Sequence, residues 1–225
     1  VTRSPNLGSG RRPWLVGVSG ASGTPYAKAV LAGLLDAGCP VDLVVSRAAR
    51  LTLLDETGIS FRDAHWRADL ASWLGRDLAL DDRPRADLRC WTPGDLAGGP
   101  ASGSYPARGM VVVPASTAAV AGIAIGLSKD LLQRAADVTL KERRPLVVVP
   151  RETPLTRGVL VQLLALHDAG ATVLPASPGF YHGPTQLQEL VDFVAAKVLD
   201  VLGVEHDLLR RWTGELGAAR RPAAG

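Results

Sequence analysis

The sequence is poor in the residues that build metal or disulfide frameworks. Two cysteines, Cys39 and Cys90, stand far apart in 225 residues and form neither a CxxC pair nor a Cys/His cluster, which excludes zinc-ribbon and thioredoxin-type sites. The four histidines, His65, His167, His182 and His206, lack metal-ligand spacing, so no metal is expected and none of them is read as catalytic. Aromatic residues make up only 5% of the chain, too few for an aromatic-rich sandwich. Long apolar runs are missing as well: the stretch 110–127 is broken by Pro114 and glycines and carries Ser116 and Thr117, so no membrane span is expected. Neither sign of charge dominates. With 25 basic against 22 acidic residues and a net charge of +3, the balance is too even for a nucleic-acid-binding surface, and small anions are the expected partners. Residues 1–13 are rich in Ser, Gly, Arg and Pro without a signal-peptide apolar region, so residues 1–11 are expected to form a flexible tail. A reducing, cytoplasmic compartment fits the two cysteines.

What is present is apolar and small: 47% hydrophobic residues, dominated by Ala, Val and Leu, with 24 glycines. That is enough for one domain with a sizeable core. Strand and helix signals alternate. Residues 14–19 read as a strand, 25–35 as a helix stopped by Gly38, 41–45 as a second strand, and Ser46 as the cap of a helix that Gly58 ends near Thr57. The signal weakens between 59 and 109, with a helix around 65–74, a short strand at 88–91 and a Gly/Pro/Ser loop over 92–106. It returns as a strand at 110–113, helices at 118–125 and 128–140, a strand at 146–149, a helix at 156–168, a strand at 172–174 and a long helix over 185–202. This predicts an α/β fold: a Rossmann-like three-layer α/β/α domain with a mostly parallel sheet over residues 12–203, followed by a C-terminal helix or arm and tail over 204–225.

In such sheets ligands bind at the carboxyl ends of the strands. Those ends carry Gly20-Ala21-Ser22-Gly23, Ser46, Ser116-Thr117 and Arg151-Glu152. The glycine turn suits close approach of a phosphate-bearing ligand, although on its own it is equally an ordinary βα turn and does not match GxGxxG. Ser116 and Thr117 likewise suit either a ligand or a plain helix cap. Arg134, Asp137, Lys141 and Glu142 have the spacing of a solvated helix face. Arg151-Glu152 is more telling, because a guanidinium placed there can clamp an anion and the adjacent carboxyl can exchange protons.

Taken together, Gly20-Ala21-Ser22-Gly23, Ala101-Ser102-Gly103-Ser104, Arg134-Ala135-Ala136-Asp137, Lys141-Glu142-Arg143-Arg144-Pro145, Pro150-Arg151-Glu152-Thr153-Pro154-Leu155 and Pro178-Gly179-Phe180-Tyr181-His182 resemble the UbiX-type flavin prenyltransferases from about residue 15 to 212. The resemblance implies a flavoprotein fold that binds FMN. It implies metal-independent transfer of a dimethylallyl group from dimethylallyl phosphate to reduced FMN at N5 and C6, making prenylated FMN for a UbiD-type decarboxylase. Carried over by motif, Gly20, Ala21 and Ser22 hold the flavin, with Ser22 near N5, and Ser46, Ser116, Thr117, Ala118, Ala119 and Arg151 add flavin contacts. Ser102, Gly103, Lys141, Arg151, Tyr181 and Lys197 gather the donor, Trp212 covers its prenyl group, and Glu152 is the acid/base, with Ser22 and Lys141 joining it in catalysis. The family also implies a homo-oligomer, a dodecamer with sites at subunit junctions. Lys197 stands where many members carry Arg, which keeps the charge and loses the bidentate fork. Two other readings are a flavin-dependent decarboxylase of the cysteine-decarboxylase type and a non-catalytic flavin carrier. The first calls for a histidine near the second strand and a Pro-Ala-Ser-Ala-Asn motif, where this chain has Arg47-Ala48 and Ser116-Thr117.

Overall fold

A computed structural model describes residues 12–78, 87–181 and 183–209. Six strands form one sheet: β1 (Trp14–Val18), β2 (Val41–Val45), β3 (Leu88–Trp91), β4 (Gly109–Ala115), β5 (Leu146–Pro150) and β6 (Thr172–Val173). Their order is β3-β2-β1-β4-β5-β6 and every pairing is parallel. Seven α-helices connect them among the described residues: α1 (Thr24–Asp36), α2 (Arg47–Thr57), α3 (Trp66–Leu74), α4 (Thr117–Ala124), α5 (Leu131–Lys141), α6 (Arg157–Asp168) and α7 (Leu187–Leu202).

Strand alternation sorts the core into two layers. Val16, Val18, Leu43, Val45, Val111, Val113, Val147 and Val149 point to the face covered by α1, α3 and α7. Leu15, Val44, Met110, Val112, Leu146 and Val148 point to the other, where Leu131, Leu132, Ala135 and Ala136 of α5 pack with Val120 and Ile123 of α4 and Leu166 of α6. Continuous β-branched runs such as Val147-Val148-Val149 are what a strand buried on both faces needs.

Most expected elements are present, and the differences lie at the ends of helices and strands. The helix expected from 128 begins at Leu131, because Ser128 is held at φ 50° and the Asp130 side chain accepts from the Gln133 N–H as the N-cap. The helix expected from 185 begins at Leu187, where Gln186 and Glu189 form a reciprocal capping box. The fourth strand continues through Pro114 to Ala115. Residues 205–209 are not helical, and the rest of the expected C-terminal arm and the N-terminal tail lie outside the described residues.

Among the described residues the most extensive helix–helix contact is α1 on α7, with Leu199 fully buried and packed against Gly33 of α1. Leu199→Ala is expected to lower stability by about 2–5 kcal/mol through lost contacts and a residual cavity. Thermal or denaturant unfolding of the variant beside wild type measures it; an unchanged midpoint would show that the α1–α7 seam contributes little.

Candidate functional site

The sheet reverses direction of growth between β1 and β4, and there the loops leaving neighbouring strands diverge and open a crevice. Ser19, buried at the end of β1, holds its two walls in register. Its hydroxyl donates to the Pro114 carbonyl at 2.8 Å and accepts from the Ser116 N–H at 2.7 Å. A cleft of about 440 Å³ results, lined by Gly20, Ser46, Ser116, Ala118, Ala119 and Gln133 among others. Three helices begin at this cleft. Ser46 caps α2 by accepting from the Ala49 N–H, Ser116 caps α4 by accepting from the Ala119 N–H, and Asp130 caps α5. Their amino ends give the cleft a positive potential suited to a phosphate, and its volume falls in the ordinary range for a small ligand. A flavin mononucleotide fits this combination of an apolar, small-residue wall and anion-favouring helix ends.

The glycine turn forms one lip. Gly23 sits at φ 115°, which side-chain-bearing residues rarely adopt, and a Cβ on Gly20 would fall 2.4 Å from that of Ala48. Only a turn of this composition lets the backbone pass so close to α2. Two side chains then fix it. The Arg151 Nε, arriving from the end of β5, donates to the Ser22 carbonyl at 2.9 Å. From α2, Glu56 accepts from the Gly23 N–H at 2.8 Å and from the Thr24 N–H and hydroxyl at 2.8 and 2.6 Å, and the Ser22 hydroxyl joins the same carboxylate. Burial opposes the charge on Glu56, and the hydrogen bonds from Thr24, Ser22 and Gly23 outweigh it, so its carboxyl lies below the usual 4.5.

Glu56 is a residue that sequence reasoning missed. It reads as one more solvated position in a polar helix, 34 residues beyond Ser22, and no local pattern links the two. Ser19 was missed for the same reason, since its partners are 95 and 97 residues away.

The residues singled out from the sequence gather at three places. Gly20, Ala21, Ser22, Ser46, Ser116, Thr117, Ala118, Ala119 and Arg151 surround the strand-end cleft or its lip. Glu152 follows Arg151 at the end of β5 and is exposed, its carboxylate accepting from the Thr153 N–H at 2.9 Å. Ser102, Gly103 and Lys141 meet at the far end of α5. Lys141 lies 3.6 Å from Glu142, against which Gly103 is packed, and the following Pro145 carbonyl accepts from Met110 at the start of β4. With 11 residues, α5 separates that end from the cleft by about 16 Å. Tyr181 and Lys197 form the third group, on either side of Phe193: the Tyr181 ring meets it edge-on at 5.8 Å, and the Lys197 Nζ lies 6.0 Å from its centroid and 3.7 Å from Asp200. Lys197 and Phe193 line a second groove of about 500 Å³ beside β6. Trp212 and His182 lie outside the described residues. Arg134 and Asp137 do form the helix-face pair that their spacing suggests, at 3.1 Å.

Cys39 and Cys90 are free, and burial pushes the Cys90 thiol up to about 12, which makes it unreactive. Among the described residues no group of three or more His, Cys, Asp or Glu could hold a metal ion.

Three comparisons bear on this geometry. The family model described as Flavoprotein matches residues 2–199. Flavin prenyltransferase UbiX of Streptomyces coelicolor is 67% identical over 214 residues, covering 92% of this chain and 98% of the relative. Among solved structures, AnUbiX in complex with FMN and dimethylallyl pyrophosphate superimposes with a TM-score of 0.78 at 32% identity, covering 92% of this chain and 100% of that one. A dodecameric FMN-dependent UbiX-like decarboxylase from Escherichia coli gives 0.77 at 38% identity, covering 90% and 100%.

Because the Glu56 carboxyl is held below 4.5 in the folded chain, its contribution to stability is complete above that pH and is lost as pH falls through the lower folded value. Glu56→Gln should therefore show a flatter fall in stability on acidification below 4.5 than wild type. Unfolding curves across that window decide it, and parallel curves for the two proteins would remove Glu56 from the turn's support.

Proposed function

The chain belongs to the Flavoprotein family and, within it, to the UbiX-type flavin prenyltransferases, and from that membership we propose how its three groups of residues carry out the reaction. The activity is transfer of a dimethylallyl group from dimethylallyl phosphate to N5 and C6 of reduced FMN, giving prenylated FMN. One observation carries the residue assignment: Arg151 and Glu56 converge on the Ser22 turn at the mouth of a cleft onto which three helix amino ends open.

In this reading Gly20, Ala21 and Ser22 lie against the flavin ring, with the Ser22 hydroxyl near N5, and Glu56 orients that hydroxyl. Ser46, Ser116, Thr117, Ala118 and Ala119 receive the ribityl phosphate end at the amino ends of α2 and α4. Reduced flavin, when bound, supplies the nucleophile for the allylic carbon. The protein's part is to hold donor and acceptor in reacting distance and to stabilise the phosphate that departs as the allylic C–O bond breaks. Lys141, Arg151 and Lys197 are the fixed cations for that charge, and Tyr181, Ser102 and Gly103 the hydrogen-bond donors. Lys197 offers a point charge where an arginine would offer a fork. Glu152, exposed at the cleft mouth, moves the proton released as the new ring closes. Trp212 is assigned to cover the prenyl group.

Within a single chain Lys141 and Ser102 stand at the wrong end of α5 to join Ser22 and Arg151. The reading therefore requires a second copy to bring its Ser102, Gly103 and Lys141 to the cleft, in a homo-oligomer for which a dodecamer is proposed. Two observations support this: the E. coli relative is described as dodecameric, and α4, α6 and their flanking loops expose Ile125, Leu127, Leu160, Val161 and Leu164 on a surface suited to burial between copies. Residues 12–203 are read as one flavoprotein domain, the recipient of the product as a UbiD-type decarboxylase and the location as cytoplasmic. Among the described residues no helix is long and apolar enough to cross a membrane. The cysteine-decarboxylase reading is disfavoured by Arg47 and Ala48 at the start of α2 and by Thr117 after Ser116.

Incubating the protein with reduced FMN and dimethylallyl phosphate without oxygen should give flavin heavier by one dimethylallyl unit in mass spectra; recovery of unaltered FMN and intact donor would contradict the reading. Glu152→Gln should bind FMN as wild type does and form product roughly 10²–10⁴ more slowly. Equal single-turnover rates would pass the proton transfer to phosphate or water.

A further inference from the structure

The loop carrying Ser102 and Gly103 is held more firmly than a Gly/Ser segment at the surface needs to be. The Tyr105 hydroxyl donates to the carboxyl of Asp42, a β2 residue only 1% exposed whose strand neighbours are Leu15 and Arg89. Burial raises the pKa of the Asp42 carboxyl, against the opposing effect of the Tyr105 hydrogen bond, and burial together with that bond raises the Tyr105 hydroxyl. The Tyr105 ring meets Trp91 edge-on at 6.1 Å. One guanidinium then spans the loop: Arg144 donates from one nitrogen to the Tyr105 carbonyl at 2.8 Å and from the other to the Gly103 carbonyl at 2.7 Å. The Tyr105 N–H closes a turn on the Ser102 carbonyl at 3.1 Å, and the Arg134 Nε reaches the Ala101 carbonyl at 3.2 Å. At Gly103 itself a Cβ would lie 2.2 Å from Glu142 Oε1, so the loop is seated directly on the Lys141-Glu142 end of α5.

An acid buried in a parallel sheet is costly, and here Leu15 and Val44 lie beside it on the same face, with Arg89 on the neighbouring strand a charge that favours the carboxylate. An apolar residue would serve packing better at position 42. What the carboxyl does provide is an anchor, through Tyr105, for a loop whose curvature the planar Arg144 fork sets by joining two carbonyls two residues apart. A loop ordered in advance loses little entropy on capturing a ligand.

We propose that Asp42, Tyr105 and Arg144 are positioning residues that set Ser102 and Gly103 in place for the donor phosphate. This rests on the assignment of Ser102 and Gly103 to the donor. None of the three touches substrate; they act through the loop.

Steady-state prenylation at varied dimethylallyl phosphate, with FMN affinity titrated separately, tests this in the assembled protein. Tyr105→Phe and Arg144→Lys should each raise KM for the donor about tenfold, with a smaller change in kcat and FMN affinity held within about twofold. Asp42→Asn keeps an oxygen acceptor for Tyr105 and should retain a wild-type KM, whereas Asp42→Ala should behave like Tyr105→Phe. Arg144 lies outside the core, half-buried in the turn between α5 and β5, so Arg144→Lys stays measurable even where the Asp42 or Tyr105 variants unfold. A wild-type KM in assembled Arg144→Lys and Tyr105→Phe, or a fall in kcat with KM unmoved, would overturn the proposal. Ser102→Ala measured alongside separates the two claims. If it leaves KM unchanged, the donor assignment of the loop is wrong; if it raises KM while the Arg144 and Tyr105 variants do not, the positioning inference alone fails.

Discussion

The Ser19 hydroxyl bridge across the β1–β4 crossover is the interaction on which the rest of the site depends. Parallel strands diverge at a reversal of strand order, and the resulting crevice keeps a defined width only if something spans it. Ser19 does so from the end of β1, donating to Pro114 and accepting from Ser116 at the end of β4. With Ser116 fixed, α4 starts where its amino end faces the cleft. With β1 fixed, the Gly20–Gly23 turn can be gripped from both sides, by Arg151 from β5 and by Glu56 from α2. The turn is thus shaped by charged and hydroxyl groups from three separate segments, and its accuracy comes from the rigid sheet beneath them.

The same βαβ geometry that makes the cleft also divides the functional residues. A crossover helix runs antiparallel to its strands, so α5 begins at the cleft with Leu131, Leu132 and Gln133 and delivers Lys141 to the opposite edge of the sheet. The loop with Ser102 and Gly103 meets it there and is fastened by Arg144 and by the Tyr105–Asp42 contact. In the proposed reading each copy carries the flavin face at one end and the Ser102, Gly103 and Lys141 part of the donor site at the other. The proposed head-to-tail contact between copies would bring these unlike faces together, and the exposed leucines, valine and isoleucine of α6 and the loop after α4 are apolar surface suited to it.

Local chemistry made most of the fold legible. Val/Leu runs bounded by Gly, Ser and Pro marked the buried parallel strands, and Ser46, Gly58, Ser116 and Thr156 act at helix ends as their types suggest. The helices expected from 128 and 185 start instead at 131 and 187, because their caps depend on a particular backbone, Ser128 in the left-handed region and a Gln186–Glu189 box. The strand-end residues of the site were legible because a parallel sheet always presents its carboxyl ends. Ser19, Glu56 and the Asp42–Tyr105 pair were not, since their partners are 32 or more residues distant and their own neighbourhoods look ordinary. The separation of Lys141 from Arg151 was equally invisible in one dimension: they are only ten positions apart, yet the strand β5 runs the height of the sheet in that interval.

That separation is the central claim, and mixed assemblies test it most directly. Arg151→Ala damages the flavin face and Lys141→Ala the phosphate face, and each alone should leave little prenyl transfer. Unfolding and reassembling the two variants together should restore activity toward about a quarter of wild type, because at equal mixture about a quarter of the junctions join two intact faces. Mixed assemblies no more active than the two parents measured separately would contradict the account and place the whole site within one chain.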